Sequence, residues 1–148
     1  MPDTEKPNQA GPFPATERAE QEPEELALEG KLALVVDDDP DLCEFVRQVL
    51  TKAGCRVTSA QDGAAALAAI AREIPDVVLL DIKMPRISGD EVLDVLARIE
   101  RHPPVIVMTA AKRARDRALR HRNPYYLPKP FDPALLIATV ETALEPTG

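Results

Sequence analysis

Two kinds of apolar pattern share this chain. Short runs without polar interruption, Leu34-Val35-Val36, Val77-Val78-Leu79-Leu80 and Val105-Ile106-Val107-Met108, stand between longer stretches whose apolar residues return every three or four positions. A short unbroken apolar run reads as a strand buried on both faces, as in a parallel sheet. Each run stops on a polar residue: Asp37-Asp38-Asp39 after the first, Asp81 after the second and Thr109 after the third. In open α/β sheets, chemistry gathers just beyond the carboxyl ends of the strands. Neighbouring parallel strands with these ends would bring several carboxylates and a hydroxyl to one rim.

The first strand is read over residues 31–36. Asp39 before Pro40 suits an N-cap followed by proline at the first helical position. Leu42, Phe45, Val46, Val49, Leu50 and Ala53 keep helical spacing, and Gly54 supplies a left-handed stop. Residues 55–59 read as a second strand. Asp62 caps an alanine-rich helix with Leu67, Ile70 and Ala71 facing inward, and Pro75 ends that connection. Beyond Asp81 and the loop Ile82-Lys83-Met84-Pro85, Ser88-Gly89-Asp90-Glu91 has the form of a capping box. The helix it opens buries Val92, Val95, Leu96 and Ile99, and Pro103-Pro104 breaks it. Residues 105–108 form the fourth strand, and Tyr125-Tyr126-Leu127 a short fifth. Lys129-Pro130-Phe131 follows, then Asp132-Pro133 as N-cap and N1 of a last helix burying Leu136, Ile137, Val140 and Leu144. Five strand–helix alternations in about 115 residues predict an α/β, doubly wound parallel sandwich with helices on both faces.

Composition narrows the partners. With 148 residues there is room for one domain and a tail, and at 3% aromatics the core must be Leu, Val, Ile and Ala. Residues 1–30 carry eight acids and two bases, which leaves the remainder near neutrality. That balance gives no case for direct DNA binding. Residues 1–29 hold five prolines, many glutamates and no apolar period, so they are expected to form a disordered acidic tail. Residues 24–29 are compatible with a frayed helix. The domain is placed at 30–146, and removing residues 1–28 is expected to leave thermal stability nearly unchanged. Cys43 and Cys55 lack metal-site spacing and read as buried free thiols of a reducing compartment. No membrane span and no signal peptide is visible, so a soluble cytoplasmic protein is expected. His102 and His121 read as surface residues.

Clustered carboxylates repel unless a cation neutralises them. Hard oxygen ligands in a small, partly hydrated cluster suit Mg²⁺. Beside a lone hydroxyl (Thr109) and a lone ammonium (Lys129), such a cluster is built to receive a phosphoryl group, with one carboxylate as nucleophile. Asp81 is single and follows a buried strand, so it can be held in line for attack. The pair Asp37 and Asp38 fits metal binding better.

With those motifs assembled, residues 31–145 resemble a receiver domain of the bacterial two-component response regulators. The resemblance rests on Asp37-Asp38, on Asp81 followed by Lys83-Met84-Pro85 and Gly89, on Thr109-Ala110, and on Tyr126 three residues before Lys129-Pro130-Phe131. It implies a flavodoxin-like sheet of order 2-1-3-4-5 with five helices. It also implies that Asp81 accepts a phosphoryl group from a phosphohistidine on a sensor histidine kinase or phosphotransfer protein. Asp38, Asp81 and the carbonyl of Lys83 would hold Mg²⁺, with Asp37 helping through water, while Thr109 and Lys129 bind the phosphoryl oxygens. Tyr126 would turn inward as Thr109 moves, and the Lys129-Pro130 bond would be cis. No enzyme activity is implied beyond self-phosphorylation and slow self-dephosphorylation. The downstream partner is an unidentified protein, and a phosphorylation-dependent homodimer is among the assemblies the resemblance allows.

The chain departs from that family between Thr109 and Lys129, where the spacing is about two residues short. Lys112, Arg113, Arg115, Arg117, Arg120 and Arg122 leave only Ala114, Ala118 and Leu119 as an apolar face. A short, loosely packed fourth helix is expected there. The chain ends soon after the last helix, so no output domain is expected, and numbering from Met1 favours a stand-alone receiver over one excised from a larger regulator. Two rivals fit less well. A Mg²⁺-dependent phosphohydrolase with an aspartyl-phosphate intermediate needs a substrate cap, and an electron carrier of the flavodoxin type needs a phosphate loop where this chain has three aspartates.

Overall fold

The computed structural model describes residues 27–81, 89–100, 102–110 and 125–145. Its elements, in order, are β1 (Leu32–Val36), α1 (Pro40–Lys52), β2 (Arg56–Ala60), α2 (Gly63–Arg72), β3 (Val77–Asp81), α3 (Gly89–Ala97), β4 (Val105–Ala110), β5 (Tyr126–Lys129) and α4 (Pro133–Leu144). All four strand pairings are parallel, and the sheet runs β2-β1-β3-β4-β5. This is the doubly wound, flavodoxin-like order 2-1-3-4-5 that the resemblance implied.

The unbroken apolar runs have a simple cause. Successive strand residues point to opposite faces, and both faces are covered. Ala33, Val35, Val77, Leu79, Ile106 and Met108 pack under α1 and α4, against Cys43, Val46, Leu50, Leu136 and Val140. Leu34, Val36, Val78, Leu80, Val105 and Val107 pack on the other side, against Ala66 and Ile70 of α2 and Val92, Leu93 and Leu96 of α3. Each such buried aliphatic side chain contributes roughly 1.5–3 kcal/mol, so the three central strands are the main apolar investment of the fold.

Local chemistry ends the helices as their sequences indicate. Asp39, Asp62 and Asp132 each accept a backbone N–H of the helix that follows, from Asp41, Ala65 and Leu135 respectively. At the other end of α1, Gly54 has φ +95°, its N–H donates to the Thr51 carbonyl, and the Cys55 N–H donates back to Leu50. That paired 5→2 and 6→1 closure needs a left-handed residue at Gly54. At the base of the sheet, Asp76 accepts the Leu32 N–H on Oδ2 and donates its own N–H to the Leu32 carbonyl, pinning β1 to the start of β3.

Several boundaries differ from the expectation. β2 spans Arg56–Ala60 because it pairs residue for residue with Leu32 to Val36 of β1. β4 continues to Ala110 and β5 starts at Tyr126 and runs to Lys129, so Thr109 and Lys129 lie within strands rather than after them. On α2 the inward residues are Ala66 and Ile70, with Leu67 half-buried and Ala71 exposed. An alanine-rich helix has too little contrast between its sides for sequence to say which alanines meet the sheet. On α3, Leu93 is buried and Val95 only half-buried. Both cysteines are buried and free, and burial pushes each thiol up to about 11. His102 is exposed. Residues 1–26, the loop 82–88 with Lys83 and Ser88, and the basic segment 112–122 with His121 lie outside the described residues.

One boundary is corrected more firmly. Leu28, assigned to the tail, is 1% exposed and belongs to the core under α1 and α4. Its N–H donates to the Ala53 carbonyl, and the Gly30 N–H donates to Gly54. Residues 27–30 form a turn, clasped against the α1–β2 corner, and the folded unit includes them. A lone leucine in a proline- and glutamate-rich stretch has no period to reveal it. A Cβ on Gly54 would come within 2.8 Å of Glu29 Oε1 and 3.0 Å of Glu29 Cα, besides its strained φ. Leu28→Ala should therefore destabilise the domain by about 2–4 kcal/mol in denaturant unfolding. Gly54→Ala should cost upwards of about 1 kcal/mol. A Leu28→Ala protein as stable as the parent would mean the clasp contributes nothing.

Candidate functional site

Strand register builds the site. Val36 of β1 pairs with Leu80 of β3, so one step further along both strands sets Asp37 beside Asp81. Both continue the alternation that points Ala33, Val35, Val77 and Leu79 toward α1 and α4. Asp81 is level with Met108 of β4, and Met108 with Leu127 of β5. Lys129 stands two residues beyond Leu127, again on the α1/α4 side by period two. It is two strands away from Asp81, roughly 10 Å at ordinary strand spacing, and its four-carbon stem covers much of that gap.

The groups meet at short range. Lys129 Nζ donates to Asp37 Oδ2 at 2.7 Å and lies 3.5 Å from Asp81 Oδ2. Asp37 Oδ1 accepts the Asp39 N–H at 2.9 Å, and the Asp37 N–H donates to the Ala60 carbonyl. The Asp37 and Asp81 side chains are 1% and 7% exposed and that of Lys129 30%; Asp38 is exposed at the mouth. Burial works to lower the Lys129 pKa. The hydrogen bond to Asp37 and the charges of Asp81 and Asp37 outweigh it, and the ammonium is held above its ordinary value. The Lys129-Pro130 peptide is cis, as the resemblance implied.

Asp37, Asp38 and Asp81 can each offer one carboxylate oxygen, all within 4.8 Å of one another. Three carboxylates against one ammonium leave net negative charge, and hard oxygen donors in a partly solvated cluster fit Mg²⁺ better than a softer metal. Of the residues singled out by sequence, the structure thus brings together Asp37, Asp38, Asp81 and Lys129. Thr109 is in β4, paired with Pro128, and its side chain lies outside what is described, as does all of Lys83. Tyr126 opens β5 and is 41% exposed, so its ring is on the outside of the domain.

Sequence reasoning missed two features. The nearest partner of Lys129 is Asp37, not Asp81, which strand ends alone cannot reveal. Cys43, one turn into α1, places its Sγ 3.4 Å from the Asp37 carbonyl. The Asp-Asp-Asp-Pro turn is a local signal for the Cys43 contact, whereas the partner of Lys129 has none in the sequence.

Comparison with known proteins identifies the family. Residues 33–141 match the family model described as the response regulator receiver domain. The response regulator MprA of Mycobacterium sp. strain KMS is 40% identical over 117 residues, which is 78% of this chain and 51% of MprA; the chain thus spans about half the length of that relative. Among solved structures, the receiver domain of NtrX from Brucella abortus aligns with a TM-score of 0.72 at 32% identity, covering 78% of this chain and 99% of that one. The chemotaxis response regulator CheY4 of Vibrio cholerae aligns with a TM-score of 0.71 at 27% identity, covering 77% and 98%. No helix among the described residues is long and apolar enough to cross a membrane. With a parallel 2-1-3-4-5 sheet, carboxylates at its carboxyl rim and a family match over most of its length, the chain belongs to the response regulator receiver domains of two-component signalling.

Proposed function

We propose that this domain is a phosphorylation-controlled binding switch whose phosphoacceptor is Asp81. The observation that carries this reading is a buried carboxylate at the end of a central strand, 3.5 Å from a lysine ammonium and beside a pair of further carboxylates, Asp37 and Asp38. An Asp81 oxygen attacks the phosphorus of a phosphohistidine on a sensor kinase or phosphotransfer protein. The P–N bond breaks as the O–P bond forms, the electron pair returns to the imidazole nitrogen, and Asp81 becomes an acyl phosphate. Lys129 is held beside Asp81 by Asp37, within reach of the transferring oxygens on which charge gathers. Thr109 binds a second phosphoryl oxygen, and Tyr126 turns inward from its exposed position as Thr109 moves.

Asp38, Asp81 and the carbonyl of Lys83 would hold Mg²⁺, with Asp37 contributing through water. When bound, the ion supplies positive charge to the phosphoryl oxygens. The domain itself turns over no separate substrate. Its output is an altered surface offered to a downstream protein, within the cytoplasm where the kinase presents its phosphohistidine.

Acetyl phosphate with Mg²⁺ should add one phosphoryl mass to the intact protein, and Asp81→Asn should abolish the addition. Full labelling of that variant would place the acceptor elsewhere. Asp38→Ala should weaken Mg²⁺ binding, measured by calorimetric titration, by at least about tenfold, the loss common even for outer-sphere partners. Without metal, the same substitution should raise the melting temperature, because it removes one of three clustered negative charges. An unchanged Mg²⁺ titration would exclude Asp38 as a ligand.

A further inference from the structure

Asp37 is the most enclosed polar residue described, and both its carboxylate oxygens are engaged. Oδ2 accepts from Lys129 and Oδ1 accepts the Asp39 N–H. The second of these bonds leads into α1. The Asp39 side chain accepts the Asp41 N–H at 3.0 Å, and the Asp39 carbonyl accepts the Cys43 N–H at 3.1 Å. Cys43 closes the circuit by donating its thiol to the Asp37 carbonyl. One tight turn therefore holds the buried carboxylate and also opens the helix. A continuous series of contacts runs from the Lys129 ammonium to the first turn of α1.

Lys129 stands between two carboxylates, 2.7 Å from Asp37 and 3.5 Å from Asp81. A phosphoryl group on Asp81 would replace that carboxylate's single charge with close to two, a net gain of about one, on the side of the ammonium away from Asp37. As Lys129 shifts toward it, Asp37 Oδ2 gives up its direct bond to the ammonium while still enclosed, and keeps only the water-bridged contact to the metal. Losing a direct charge-assisted hydrogen bond in an enclosed place is unfavourable, and the turn that holds Asp37 is where the change is taken up.

We propose that Asp37 is a positioning residue which couples the Lys129 ammonium to the first turn of α1, so that phosphorylation of Asp81 loosens that turn. The trigger rests on the reading of Asp81 as phosphoacceptor; the coupling itself does not. This route leaves the site by β1 and α1, on the opposite side of Asp81 from β4 and β5. It makes the start of α1, where Asp41 and Glu44 are exposed, a second surface that reports the state of the site.

Amide hydrogen exchange by NMR on the full chain tests the coupling and the trigger separately. In metal-free protein, Lys129→Met should speed exchange at Asp39, Asp41 and Cys43 by about tenfold or more, through local opening. The last turn of α1, at Leu50 and Ala53, should be unchanged. In an Asp37→Asn background, which keeps an oxygen for the Asp39 amide but removes the charge, Lys129→Met should have no further effect. Acceleration spread evenly along α1, no acceleration, or the same acceleration in the Asp37→Asn background would each overturn the coupling. A beryllofluoride mimic added to the Mg²⁺-bound protein should then speed exchange at the same three amides, and should fail to do so in Asp37→Asn. If the mimic perturbs Asp81 but not the α1 turn, the trigger is wrong. If it does not perturb Asp81, the phosphoacceptor reading falls with the trigger, and the Lys129→Met comparison still decides the coupling.

Discussion

Two buried carboxylates side by side repel each other, and the architecture of this domain answers that repulsion with one ammonium. Asp37 and Asp81 meet because β1 and β3 are adjacent and in register: Asp81 is the last residue of β3 and Asp37 the first beyond β1. Lys129 reaches them from β5, across the whole width of β4. Moving β5 by a single residue would turn Lys129 to the other face of the sheet, since side chains alternate with period two. The ion pair therefore depends on the register of four strands at once. That register depends in turn on apolar runs that can be buried only when both faces are covered.

The same dependence explains why the chemistry sits at the rim. Within β1, β3 and β4 each position faces a helix layer, so a charged side chain there would lose its hydration without gaining a partner. Just beyond Val36 and Leu80, Asp37 and Asp81 are still enclosed, and the carboxylates are tolerated in company with a cation and backbone donors. Asp37 is held by Lys129 and the Asp39 amide. Asp38, one residue further out, is exposed and available to a metal. Burial thus separates the enclosed Asp37 and Asp81 from Asp38, which is open to solvent.

At the opposite end of the sheet, the turn around Leu28 precedes the 33–141 stretch shared with other receiver domains. It adds a leucine to the core and seals the corner where α1 gives way to β2. α1 is consequently tied at both ends, through Gly54 and the clasp at its C-terminus and through Asp39 and Asp37 at its N-terminus. A helix anchored in that way suits the transmission of a change that begins at the site.

Much of this could be read from the chain alone. Unbroken aliphatic runs can be buried on two faces only in a parallel sheet with helices on each side, and Asp39, Asp62 and Asp132 announce helix starts through local hydrogen bonding. Class, element order, the caps, the free buried thiols and the convergence of Asp37, Asp38, Asp81 and Lys129 all follow from such short-range rules and from the motif they form. Other features were hidden because they depend on residues distant in sequence. The burial of Leu28 is conferred by Ala53 and Gly54, the limits of β2 and β5 by their neighbours, and the inward side of an alanine-rich helix by the sheet it meets. Whether Lys129 bonds Asp37 or Asp81 was hidden most deeply. It turns on less than 1 Å between groups 92 and 48 positions away along the chain, a difference created only when four strands align.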